Sequence, residues 1–157
     1  MPASLFTDAS IPETIQQAIA PVFLLTGIGA FMNVIAGRLA RVVDRARLLE
    51  PQVGDARGED RTRLIAELRV LETRMSLASR AIHLCTACGL TVCVLIIMLF
   101  AEELIRYDFS RYVAGMFIFA VLLLASGLVL FLRETRIAVG ALHVRQELID
   151  LGAYPDD

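Results

Sequence analysis

Three stretches of the chain, about residues 18–37, 81–101 and 112–132, are apolar at almost every position, and the segments beyond them alternate apolar and polar residues with a helical period. Each apolar stretch runs about 20 residues, the length an α-helix needs to cross a hydrocarbon core of roughly 30 Å. Lipid offers the backbone no hydrogen bonds, so spans of this kind satisfy their amides internally, as helices. The pattern predicts an all-α integral membrane protein with three transmembrane helices.

The helical period does not stop where the apolar stretches do. After Gly37, the positions Leu39, Val42, Ala46 and Leu49 step 3-4-3. From Arg61, Leu64, Leu68, Leu71, Met75, Ala78 and Ile82 step 4-3-4-3-4 into the second span, and after the third span Ile137, Ala141, Val144, Leu148 and Leu151 step 4-3-4-3. Steps of this kind are a heptad seam, the pattern of helices packed in a coiled coil or bundle. Pro51, Gly54 and Gly58 interrupt the first two runs. The reading is a single membrane domain over 1–157 whose spans extend into a helical bundle: a hairpin over 38–80, turning around Pro51–Asp60, and a C-terminal helix over 133–151. The helix Arg61–Ala101 is expected to be about 60 Å long at 1.5 Å per residue. Ion pairs Arg63–Glu67 and Arg69–Glu72 are expected along it, each contributing about a few tenths of a kcal/mol.

Ahead of the first span, Ser10-Ile11-Pro12-Glu13 has the form of a capping box, with Ser10 at the N-cap and Glu13 three residues on. Ile11, Ile15 and Ile19 follow at helical spacing, with Gln16 and Gln17 opposite. Pro21 has no amide hydrogen to give Gln17. Two readings stay open: a short amphipathic helix in the interface, or one continuous first helix with a mild kink. The N-terminal stretch carries Asp8 and Glu13, no basic residue and no small-residue cleavage site, so the first span is expected to remain in place rather than be removed as a signal.

Charge orients the spans. The chain is 57% apolar with a net charge of −2, which gives no ground for a nucleic-acid partner. All 15 basic residues are Arg. Ten lie between spans one and two and three after span three, while only Arg106 and Arg111 lie in the short loop between spans two and three. By the positive-inside rule the Arg-rich side is cytoplasmic, the N-terminus lies outside and the C-terminus inside. Tyr107, Phe109 and Tyr112 stand at the outer end of span three, where aromatic anchors belong.

Candidate chemistry is sparse. Cys85, Cys88 and Cys93 all sit in span two, and Cys85-Thr86-Ala87-Cys88 has the C-x-x-C form of metal and redox sites. On a helix at about 100° per residue, His83 lies roughly opposite Cys85, so the motif supplies two ligands and needs others from elsewhere. The same residues read as packing: Ala81, Cys85, Gly89 and Cys93 recur every four positions, a small-residue stripe that lets membrane helices approach closely. Span one carries a second stripe, Gly29, Asn33 and Gly37. Asn33 is the most polar side chain in any span; it lines a pore, binds a ligand or hydrogen-bonds a neighbouring helix. Thr26, Thr91 and Ser126 can bond back to their own helices. No acidic or basic residue lies deep in a span, which argues against an ion-coupled carrier. No nucleophile–base pair, phosphate-binding glycine loop or H-E-x-x-H is found, and neither an enzymatic activity nor a cofactor or metal is expected.

The densest polar constellation lies just after span one, Arg38-Leu39-Ala40-Arg41-Val42-Val43-Asp44-Arg45-Ala46-Arg47. Arg38, Arg41 and Arg45 share one side of a helix. They suit anionic lipid headgroups or the inner mouth of a pore; alternatively they snorkel and pair with Asp44, Glu72 or Glu134.

With these residues in view, the chain resembles a bacterial membrane family catalogued as domain of unknown function 2721. The resemblance is carried by Ile15 and Ala18-Ile19-Ala20-Pro21-Val22-Phe23-Leu24-Leu25, then Arg38-Leu39-Ala40-Arg41-Val42-Val43-Asp44-Arg45-Ala46-Arg47-Leu48, and by Glu134 in Phe131-Leu132-Arg133-Glu134 after the last span. It implies the three-span topology and brings no activity. Three helices enclose no useful polar channel alone. The leading expectation is therefore a homo-oligomer in the lipid bilayer, with Thr26, Asn33 and a ring of Arg38 and Arg41 on a central axis, forming a pore or channel-like assembly. The alternatives are a non-conducting scaffold or accessory subunit that docks a membrane protein partner on the span-two stripe, and a surface protein that responds to anionic lipid.

Overall fold

The computed structural model describes residues 10–105 and 109–150, and side chains over 14–139 apart from 103 and 106–108. Three helices account for nearly all of it: α1 (Ser10–Asp55), α2 (Glu59–Ile105) and α3 (Ser110–Asp150). No strand occurs among the described residues. Each helix contains a stretch long and apolar enough to cross a membrane.

The first helix is continuous, which decides between the two readings of its N-terminal part. Pro21 is buried within α1 and does not end it. Ser10 falls inside the helix rather than ahead of it, within the one or two residues by which helix ends vary, and the side chains of the expected capping box lie outside those described. Pro51 does not stop the helix either; α1 runs on to Asp55. The break comes at Ala56-Arg57-Gly58, where the Ala56 amide donates to the Gln52 carbonyl at 3.0 Å and Gly58 takes φ +62°. That left-handed conformation costs an L side chain energy and glycine almost nothing. Glu59 and Asp60 then open α2, where carboxylates favour the positive end of the helix dipole. At the other connection, the Phe109 carbonyl accepts from the amides of Tyr112 (2.8 Å) and Val113 (3.0 Å), and the Ser110 hydroxyl donates to Glu102 Oε1 at 3.1 Å. Of the expected aromatic anchors, Tyr112 is exposed, Phe109 is half-buried and Tyr107 lies outside the described residues.

The contacts form two units, each drawing on all three helices. One comprises Met1–Asn33 with His83–Ser126. Its core includes Ala18, Leu95 and Leu99, with Val113 and Met116 packed against them. Val92, Cys85, Cys88 and Ala120 are also fully buried. Small residues bring α2 and α3 close enough there for the Cys88 thiol to donate to the Ala120 carbonyl at 3.0 Å. The opposite faces are apolar and open: Phe23, Leu90, Ile97, Ile118, Phe119 and Leu122 are all exposed. An apolar surface of that extent is at home in lipid, where nothing drives it inward.

The other unit comprises Val34–Ile82 with Gly127–Asp157. Val42, Ala46, Leu49 and Leu71 form its buried core, and Leu64, Leu68 and Met75 pack on it. These are the seam positions of α1 and α2, now facing each other across the short Ala56–Gly58 turn. On α3, Ile137 is half-buried, and the side chains of Ala141, Val144, Leu148 and Leu151 lie outside those described. The expected pair Arg63–Glu67 is replaced: Glu67 accepts from Arg45 of α1, and Arg63 comes within 3.9 Å of Glu59 one turn earlier. Arg69 and Glu72 form no pair with each other, since both point into solvent with nothing to hold their long side chains together.

Candidate functional site

The only buried acidic or basic side chain among the described residues is Glu134, on α3 just beyond the third apolar stretch. A lone buried carboxylate is costly, and Glu134 is held by two guanidiniums. Arg74 of α2 places Nη2 2.9 Å and Nε 3.0 Å from Oε1. Arg38 of α1 brings Nη2 to 3.1 Å from Oε2, and its guanidinium carbon lies 5.3 Å from the centre of the Phe131 ring one turn before Glu134. The Arg38 N–H groups are not aligned on the carboxylate, so Oε2 is buried with charge contact and no hydrogen bond. One carboxylate thus ties all three helices of this unit together.

Beside this junction is a cavity of about 200 Å³ lined by Arg38, Arg41, Val42, Arg45, Leu71 and Arg74. Val42 and Leu71 belong to the unit's core, so the floor of the cavity is fixed. The other four lining residues are Arg. Arg38 and Arg74 are held by Glu134, and Arg45 is held by Glu67, whose Oε1 accepts from Nε at 3.0 Å and Nη2 at 2.9 Å. Arg41 pairs with no carboxylate among the described residues; its Nη1 leans back towards Gly37, 4.0 Å from where a Cβ there would sit. The structure thus brings Arg38, Arg41, Arg45 and Glu134 into one neighbourhood, while Asp44 and Arg47 are exposed and do not line the cavity. Arg74 and Glu67 are additions. Both flank seam positions, Arg74 beside Met75 and Glu67 beside Leu68, which is the signal that could have found them.

Within the chain, the charged end of Arg38 faces Glu134 and Phe131, where a buried carboxylate attracts it.

The chain matches the model of a family described as a protein of unknown function, DUF2721, over residues 18–144. The chain belongs to the DUF2721 family. The match spans α1 from Ala18, all of α2 and most of α3, and so takes in the Arg cluster and Glu134. DUF2721 membership carries no activity with it. Neither the curated proteins nor the solved structures give a match.

The remaining candidates of this DUF2721 chain divide by exposure. On α2, Ala81 and Cys85 are fully buried, Gly89 is half-buried with a Cβ position 3.8 Å from Leu25, and Cys93 is exposed. Ala81 and Cys85 of the small-residue stripe therefore pack within the chain, while Cys93 lies on its surface. Cys85, Cys88 and Cys93 are free thiols, and no group of three or more metal-ligating side chains occurs among the described residues. On α1 the opposite holds. Thr26, Gly29, Asn33 and Gly37 are all exposed, and a Cβ added at Gly29 would touch nothing. The Thr26 hydroxyl bonds back to the Val22 carbonyl at 3.3 Å, as Thr91 does to Ala87 and Ser126 to Leu122 at 2.8 Å. Asn33 makes no hydrogen bond among the described residues.

Proposed function

We propose that this chain is a non-enzymatic integral protein of a bacterial inner membrane that assembles as a homo-oligomer through α1 and forms a pore or channel-like assembly. The observation that carries the reading is Asn33, an exposed carboxamide inside a membrane span with no hydrogen-bond partner among the described residues of its chain. A carboxamide left to hydrocarbon costs several kcal/mol. A second copy supplies the missing partner, since an amide is both donor and acceptor, and water along a central axis supplies it equally well. Gly29 and Thr26 on the same unit leave room for close approach. The distribution of Arg supports an outside N-terminus and a cytoplasmic C-terminus, with the Arg-lined cavity facing the cytoplasm.

Stoichiometry tests this directly. Native mass of the full chain in lipid nanodiscs is expected to give a closed ring of about four or more subunits. In liposomes, Asn33→Leu is expected to keep the ring and change solute flux. A monomer or dimer encloses no path and would overturn the pore, leaving the exposed α1 face to a helix of another membrane protein in a non-conducting scaffold.

A further inference from the structure

The geometry points to the cavity between Arg38, Arg41, Arg45 and Arg74 as a binding site for a phosphate group. All four Arg belong to one chain, so the site needs no second copy. Four Arg side chains line it, and the two carboxylates that touch them, Glu134 and Glu67, neutralise only half of their charge. The surplus matches a phosphate monoester, which carries about −1.5 to −2 near neutral pH and three strong acceptor oxygens.

Arrangement matters as much as charge. Glu134 holds Arg38 and Arg74 from behind, and Glu67 holds Arg45 through two nitrogens, so three forks are already positioned before a ligand arrives. Guanidiniums recognise phosphate through paired N–H groups, and rotamers fixed beforehand lose less entropy on binding. Arg41 has no carboxylate partner among the described residues and is the group whose charge a ligand would meet. At about 200 Å³ the cavity has room for several waters at about 30 Å³ each, and hence for a phosphate that displaces them. Arg38 and Arg74 are part-buried and Arg41 and Arg45 more open, and all four line one cavity with Val42 and Leu71.

The phosphate can belong to a lipid headgroup or to a soluble molecule, and two arms of one experiment separate these sources. The full chain is placed in phosphatidylcholine nanodiscs and titrated calorimetrically with inorganic phosphate. In parallel, nanodiscs containing phosphatidate are analysed by native mass for retained lipid. Binding in at least one arm is expected, weakened about tenfold by Arg41→Gln and unaffected by Arg63→Gln, which removes the same charge from an exposed position outside the cavity. Arg41→Lys, which keeps the charge without the planar fork, guards against a folding effect and is expected to bind more weakly than the wild type. Retained phosphatidate without phosphate binding assigns the site to lipid; phosphate binding in the neutral nanodisc assigns it to a soluble ligand. Absence of binding in both arms overturns the assignment. So does wild-type affinity in both Arg41 variants, or an equal loss in Arg41→Gln and Arg63→Gln, which would reduce the effect to general surface charge.

Discussion

Arg74 on α2 grips one oxygen of Glu134 on α3 with two nitrogens, at 2.9 and 3.0 Å, while the Glu134 side chain is only 2% exposed. The pair joins helices separated by 60 residues in sequence at a depth where neither charge is well solvated. With Arg38 on the second oxygen, the carboxylate becomes the point on which this three-helix unit depends.

Removing that carboxylate therefore destabilises the protein strongly. Glu134→Gln keeps the shape and leaves two part-buried guanidiniums facing each other, a loss of about 3 kcal/mol. For a chain of this size that lowers the thermal midpoint by roughly 6–12 °C, measured on the full chain in nanodiscs. A shift of only about a degree would show that water already screens the junction.

Arg45 and Glu67 offer the contrast. They hydrogen-bond with good geometry, yet their side chains are 51% and 44% exposed. Arg45→Ala is expected to cost about 0.2–1 kcal/mol, and the difference from wild type shrinks at about 1 M salt, where the Debye length is about 3 Å. Thermal midpoints at low and high salt measure both numbers. A large, salt-independent loss would mean that Arg45 contributes by packing its stem on the core rather than by charge.

The spans and the α1–α2 seam were legible because burial follows helical period: Val42, Ala46, Leu49 and Leu71 are the buried core of their unit. The pairing of Arg38 with Glu134 was among the expected partners as well. The choice of Glu67 by Arg45, and of Glu134 by Arg74, was not, because it depends on how far one helix slides along the next. Periodicity gives the face of a residue and not its neighbour's register. The small-residue stripes were ambiguous for a related reason. Ala81 and Cys85 obey the same spacing rule as Gly29 and Asn33, but one pair faces the chain's own helices and the other faces out.

Gly58 tests the turn between α1 and α2. A Cβ there would meet no atom within 4 Å, so crowding is not the issue; the φ of +62° is. Gly58→Ala is expected to cost about 1 kcal/mol, from the left-handed conformation alone. Gly54, also open but not left-handed, serves as control: Gly54→Ala lies inside α1 and is expected to stabilise it by a fraction of about 1 kcal/mol. Thermal midpoints of the two variants should move in opposite directions, and equal shifts would remove the backbone explanation.

Two glycines separate packing within the chain from packing between copies. Gly89 on α2 has Leu25 of α1 3.8 Å from its Cβ position, so Gly89→Leu forces a side chain into an occupied space and is expected to cost about 1–3 kcal/mol of stability. Gly29 on α1 has nothing within 4 Å, so Gly29→Leu leaves the folded chain intact. If α1 is the contact between copies, the new side chain blocks it instead. The expected result is a lowered thermal midpoint with unchanged stoichiometry for Gly89→Leu, and an unchanged fold with a broken oligomer for Gly29→Leu, read by circular dichroism and native mass in nanodiscs. An intact oligomer in Gly29→Leu would move the contact off this face of α1, because a close helix crossing has no room for a leucine where it uses a glycine.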